Sequence, residues 1–354
     1  MQENSLNPPI YTAGIYTAGN PGDPPPREPL ALPISWRSGV RPDAYRPDKG
    51  LEQAVNVALM LGQPLLLTGE PGTGKTRLAW HVAHRLGWGE PLIFEAKSTS
   101  TARDLFYTYD VLADFQSSKA PDPESRLKYI TWNALGKAIL SANPQHLVQD
   151  LLPETGGSHS GPCRSVVLID EVDKAPRDFP NDILNEVENM SFRIPETRKL
   201  PVTAPPGMQP VVIITSNSEK SLPDAFLRRC VYYNIPFPKP EQLREIVRAR
   251  IDYVNAESDS FLGDALDFFQ TLRLPESSLR KKPATAELLG WLVYLGQQIP
   301  DRRRPLREFP AVLEAGLSAL VKTAEDQGIA ERLLGIWIAG NRPAVSSLKV
   351  TNGQ

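Results

Sequence analysis

Eight residues, GEPGTGKT (Gly69–Thr76), constrain this chain more than any other feature. They follow the apolar run PLLLT (64–68) and open TRLAWHVAHRLG, whose apolar spacing is helical, so a glycine-rich turn joins a strand to a helix. In a G-x-x-x-x-G-K-T pattern the glycines let the backbone curl until successive N–H groups point inward at phosphate oxygens. Lys75 supplies a point charge for the β and γ phosphates, and Thr76 offers a hydroxyl to Mg²⁺. The predicted cradle is Gly69, Glu70, Pro71, Gly72, Thr73, Gly74, Lys75, Thr76 and Arg77, and its predicted ligand is a nucleoside triphosphate with Mg²⁺.

Two later strand ends agree with this. SVVLIDEVDKAP places Asp170 at the carboxyl end of an apolar run, where a parallel sheet presents groups to ligands and where a carboxylate can join Thr76 in the magnesium shell. Glu171 beside it is suited to orient or deprotonate an attacking water, so hydrolysis is expected as well as binding. VVIITSN puts Asn217 within reach of the γ-phosphate or that water. The segment TSNSEK lacks the N-K-x-D arrangement that reads guanine, which favours ATP.

Short apolar runs at 64–68, 91–96, 165–169, 211–215 and 231–235 alternate with helical segments, the pattern of a parallel sheet covered on both faces. From about Pro238 only helical periodicity remains: EQLREIVRARIDYV, FLGDALDFFQTL, TAELLGWLVYLGQQI and a final stretch from Phe309 to Ala339. The expected organisation is a tail over 1–40, an α/β core over 41–237, a helical domain over 238–345 and a C-terminal tail over 346–354. Proline, 35 of 354 residues, is well above its usual share of roughly 5% and concentrates in the first segment, which also carries a tandem IYTAG. That segment is predicted to be disordered. Loop-rich inserts are expected from Phe115 to Pro144 and at PETGGSHSGP.

A net charge of −2 argues against a protein that chiefly coats nucleic acid. No run reaches the roughly 18 apolar residues of a membrane span, and MQENSLNPP has no leader-like region, so the expected location is the cytoplasm. Cys163 and Cys230 are too isolated for a disulfide framework or a zinc cluster, and His81 with His84 lacks further ligands.

GEPGTGKT, VVLIDEVDK, IITSN and LPDAFLRR stand in order on successive strand ends, ahead of a helical domain. Over residues 41–345 the chain resembles AAA+ ATPases, and in particular their MoxR-type branch. The resemblance implies an AAA+ P-loop NTPase core with a five-stranded parallel sheet, a small all-helical lid, and ATP bound between subunits of a homo-oligomeric ring, usually of six. It puts Arg229 at the position from which one subunit reaches its neighbour's ATP, with Arg228 as the substitute; local carboxylates such as Asp224 are the alternative partners. A lid arginine aligns with Ala284, which is not basic, leaving Arg280, Lys281 or Lys282 for that role. The segments ARDLFYTYDVLADFQ to LKYITWNALGKAIL and FRIPETRKLPVTAPPGMQ resemble inserts that face the ring's channel. Phe106, Tyr107, Tyr109 and Tyr129 there are either client contacts or core. The implied activity is chaperone-like remodelling of a protein client, in this branch often one with a von Willebrand A-type domain. The alternatives are a nucleic-acid motor or restriction-type translocase, and a slow ATP-dependent switch in a signalling or defence assembly.

Overall fold

The computed structural model describes residues 42–116, 123–151, 161–197, 201–218, 222–251, 253–254 and 259–340. Residues 1–40 with both IYTAG copies, the tail 346–354 and most of PETGGSHSGP lie outside them. The chain divides into two compact units between Phe237 and Pro238.

Strands of the first unit, in chain order, are β1 (Leu65–Thr68), β2 (Leu92–Glu95), β3 (Tyr107–Tyr109), β4 (Ile130–Trp132), β5 (Val166–Asp170), β6 (Ser191–Phe192), β7 (Val202–Thr203), β8 (Val211–Thr215) and β9 (Val231–Asn234). Five of them form the expected parallel sheet in the order β2-β5-β8-β1-β9. Alternate side chains of these strands leave on opposite faces, and on the central strands β5, β8 and β1 both faces are covered. Leu65, Leu67, Val166, Leu168 and Ile213 pack with helices α1 (Lys49–Leu61) and α2 (Lys75–Leu86). Leu66, Val167, Ile169, Val212 and Ile214 enter a larger cluster with the helix Ala134–Ala142 and with Phe179, Ile183 and Phe226. Near-continuous burial explains why the three central strands read as unbroken apolar runs, while the edge strands β2 and β9 alternate between half-buried and exposed.

The insert expected to be loop-rich over 115–144 is largely ordered. β3 and β4 pair antiparallel, Tyr107 opposite Trp132, and Ala134–Ala142 is a helix with Leu135, Ile139 and Ala142 completely buried. Only Lys137, exposed, and Ser141, half-buried four residues on, mark its outer face, a polar stripe too narrow to stand out in a nine-residue helix. Phe106 and Tyr107, candidates for client contact, are buried at 3% and 1% exposure. Phe106 stacks on Phe192 of β6 with ring centroids 5.1 Å apart, and Tyr107 donates to Glu196 Oε2 at 2.7 Å, so the aromatics join the two inserts to each other. Tyr109 donates to Asp114 at 2.6 Å, and Lys128 lies 4.8 Å above the half-buried Tyr129 ring. Between β3 and β4, Val111, Leu112 and Phe115 face solvent, the last 88% exposed.

The second unit is helical: Pro240–Arg250, Asp259–Arg273, Thr285–Gln298, Pro310–Leu320 and Ala324–Ile338. Phe268 sits between Trp291 and Trp337 at centroid distances of 5.8 and 5.4 Å. The stretch from Phe309 to Ala339 forms two helices, parted at Val321–Thr323, where the Thr323 hydroxyl accepts the Asp326 N–H and starts the second. Ala284 is buried at the start of Thr285–Gln298. Of the basic residues considered in its place, Arg280 pairs with Glu325 at 2.6 Å, while Lys281 and Lys282 are exposed.

Candidate nucleotide-binding site

Strand register assembles the site. Ile169 of β5 lies opposite Ile214 of β8, and Leu67 of β1 opposite Thr215. Asp170, Thr215 and Thr68 therefore end three adjacent strands at one edge, and the loop Gly69–Gly74 leaves from that edge. The loop takes shapes that only glycine reaches without strain: φ is +139° at Gly69, +78° at Gly72 and +91° at Gly74. A Cβ on Gly69 would lie 2.6 Å from the Ile235 carbonyl oxygen. Thr73 ties the loop to itself, its hydroxyl donating to the Glu70 carbonyl at 2.9 Å, while Glu70, Pro71 and Gly72 stay exposed.

α2 begins at Lys75, and its first helical bond runs from the Leu78 N–H to the Gly74 carbonyl at 3.2 Å. The N–H groups of Lys75, Thr76 and Arg77 precede that bond and have no helical acceptor, the arrangement that favours an anion. Lys75 is buried to 7% exposure. Its ammonium donates to the Gly69 carbonyl at 2.8 Å, the Glu70 carbonyl at 3.1 Å and Asn217 Oδ1 at 2.9 Å. Burial holds its pKa below the ordinary lysine value against the opposing pull of Asp173, Asp170 and Glu171. Arg77 is also lowered by burial, and its Nη1 is enclosed without a hydrogen-bond partner.

Across the edge, Thr76 Oγ1 lies 3.1 Å from both oxygens of Asp170. Glu171 follows in a left-handed backbone conformation, φ 55° and ψ 49°, and its side chain pairs with Lys174 three residues on. Asn217 is fixed by its own N–H, which donates to Asp173 at 3.1 Å, so it reaches Lys75 from the β8 side. Arg228 and Arg229 are exposed after the helix Asp224–Leu227. Arg229 Nε lies 3.3 Å from Glu188, not Asp224. Cys230, which follows them, has its thiol pKa pushed up to about 12 by burial, which disfavours the thiolate.

Residues 64–230 match the family model described as the AAA domain, dynein-related subfamily. That span holds the whole parallel sheet up to β9 and every site residue above. This part of the chain is similar to AAA domains. The chain is 27% identical over 202 residues to CD-NTase-associated protein 6 of Pseudomonas aeruginosa, a match covering 56% of this chain and 55% of that protein. It thus spans about half the length of that curated relative. Similar solved structures include PCH-2 of C. elegans, at 17% identity and a TM-score of 0.41 over 82% of this chain and 70% of that one. Another is NtrX from Brucella abortus in complex with ADP, at 15% identity and 0.43 over 81% and 58%.

The residues of this site fit a nucleotide with its metal. The glycine curl, the open N–H groups at the start of α2 and the enclosed cations of Lys75 and Arg77 suit a polyphosphate, and the Thr76–Asp170 pair suits an oxygen-seeking cation. Four participants were missed from sequence. Thr215, completely buried, donates to Asp170 Oδ1 and accepts the Glu171 N–H; Lys174 holds the Glu171 side chain; Asp173 anchors Asn217. Tyr45 packs on the loop, 3.0 Å from where a Gly74 Cβ would stand, with His81 against its ring at 5.4 Å. A hydroxyl ending a buried strand level with Asp170 was a signal for Thr215. Nothing in the sequence pointed to Tyr45.

Proposed function

We propose that this chain binds and hydrolyses ATP with Mg²⁺ and works as a homo-oligomeric ring, of six subunits by family resemblance, that remodels a protein client. The observation that carries the reading is the Thr76–Asp170 pair beside Glu171, with the Lys75–Asn217 bond on the same sheet edge. Thr76 and Asp170 would hold Mg²⁺, which neutralises charge on the β and γ phosphates. Lys75 exchanges loop carbonyls for phosphate oxygens, Glu171 leaves Lys174 to aim a water, and Asn217 links the γ-phosphate position to Asp173. Arg228 and Arg229 are exposed, with Arg229 paired to the exposed Glu188, which fits a role toward a neighbouring subunit. The MoxR-type assignment rests on the two inserts before β5 and β8, and the exposed Val111, Leu112 and Phe115 support a protein client, of which a von Willebrand A-type domain is the expected kind.

Phosphate release from ATP by wild type, Lys75→Ala and Glu171→Gln tests this at concentrations where rings assemble. Mg²⁺-dependent release in wild type, lost in both variants, is expected, with Glu171→Gln retaining ATP and co-purifying the client. Recovery of DNA alone would favour the translocase reading. A second reading has one specific support: the relative from Pseudomonas aeruginosa is named for its association with a CD-NTase. On that reading the chain is a slow ATP-dependent switch within such an assembly, and turnover stays near background even in the ring.

A further inference from the structure

We propose that Thr215 is a positioning residue for both acidic groups of the site, one hydroxyl setting the orientation of Asp170 and the backbone of Glu171 together. Its Oγ1 donates to Asp170 Oδ1 at 2.5 Å and accepts the Glu171 N–H at 2.8 Å. A hydroxyl has one proton to give, and here it goes to Asp170, leaving lone pairs for the amide. Thr215 is wholly buried at the end of β8, between the strand ends that carry Thr68 and Asp170, so no water competes for these bonds.

The backbone of Glu171 explains the need. A non-glycine residue in the left-handed region is disfavoured and persists only where its surroundings fix it. Glu171 adopts that conformation at φ 55°, and the bond to Thr215 is the one that holds its N–H. The turn lifts Glu171 out of the strand's alternation, so that Asp170 and Glu171 both serve one edge instead of opposite faces. The bond to Asp170 Oδ1 fixes a carboxylate whose two oxygens both lie 3.1 Å from the Thr76 hydroxyl, and leaves lone pairs of Oδ2 for the metal shell. Outer partners that orient metal ligands are typically worth about 10–100-fold in metal affinity or activity.

The inference rests on the nucleotide-binding reading, and the test separates the two. Thr215→Val keeps the shape and removes the hydroxyl; Thr215→Ser restores it. Two readouts are taken: kcat and KM for ATP, and Mn²⁺ binding, by electron paramagnetic resonance, to the complex with a non-hydrolysable ATP analogue. For Thr215→Val we expect kcat and Mn²⁺ affinity each to fall about 10-fold or more, with KM within about threefold of wild type and Thr215→Ser near wild type. Should Thr215→Val fail to fold, Thr215→Ala against Thr215→Ser gives the same contrast, with thermal melting as the check on each. Unchanged kcat and Mn²⁺ affinity in the valine or alanine variant, or equal loss in the folded serine variant, overturns the proposal. Lack of hydrolysis in wild type would overturn the ATPase reading alone, because the Mn²⁺ comparison still decides the role of Thr215.

Discussion

Asn217 Oδ1 accepts a hydrogen bond from Lys75 Nζ at 2.9 Å, joining residues 142 apart in the chain. An ammonium has three donors, and Lys75 spends the other two on loop carbonyls of Gly69 and Glu70, so an arriving phosphate must displace at least one of these bonds. The two residues are therefore expected to separate in their effects. Lys75→Ala should abolish nucleotide binding in a fluorescent-nucleotide titration. Asn217→Ala should bind ADP within about threefold of wild type while its kcat falls about 10²-fold, the loss expected of a donor that acts on the transition state. Equal loss of binding in both variants would make Asn217 part of the cradle instead.

Arg229 offers a contrast between stability and activity. Its pair with Glu188 is exposed on both sides, and such pairs contribute about 0–1 kcal/mol. Arg229→Ala should leave the melting temperature almost unchanged. If Arg229 completes a neighbour's site, the same substitution lowers kcat about 10³-fold or more. Mixing Arg229→Ala with Lys75→Ala subunits should then recover part of the activity, since some interfaces pair an intact loop with an intact arginine. Full activity of Arg229→Ala alone sinks the assignment.

What the sequence made legible follows from how each part is encoded. The loop, Asp170, Glu171 and Asn217 sit at strand ends, where motif spacing and sheet topology act together, and the register brings Asp170 beside Thr215 as a parallel sheet must. The contacts of Thr215, Asp173 and Tyr45 cross between segments far apart in sequence, and no local pattern encodes them. The sequence left Phe106 and Tyr107 open between client contact and core for the same reason, and it is Phe192, from another insert, that buries them. The helix Ala134–Ala142 is short, and its outer face carries only Lys137 and Ser141 to mark it.

That helix supplies a stability prediction. Glycine to alanine in an exposed helix gains about 1 kcal/mol, but a Cβ on Gly136 would stand 2.1 Å from the Phe106 carbonyl oxygen, a backbone atom that also accepts the Asn133 N–H at 2.8 Å. Gly136→Ala should therefore lower the urea midpoint, with a cost of about 1–3 kcal/mol or more, because neither backbone can withdraw without breaking that bond. A raised midpoint would mean that the helix does not lie so close to β3.

In the second unit, Asp326 provides the pH-dependent counterpart. Its buried carboxylate accepts the backbone N–H groups of Arg280 at 2.8 Å and Lys281 at 3.1 Å, fixing the turn that leads into Thr285–Gln298. Burial alone would raise its pKa; the two N–H bonds, the Thr323 hydroxyl and the Arg280 charge outweigh it and hold the group below its ordinary 3.8. A carboxyl depressed on folding contributes stability that is complete above the unfolded value and lost as pH falls from there through the folded one. Asp326→Asn should thus cost about 1–3 kcal/mol at pH 7, since hydrogen bonds to a charged acceptor are replaced by weaker ones. In urea titrations the gap between wild type and variant should narrow once the pH drops below 3.8, where the unfolded wild type begins to take up the proton that the folded carboxylate resists. A gap of equal size at pH 7 and pH 3 would show that shape, not charge, holds the turn.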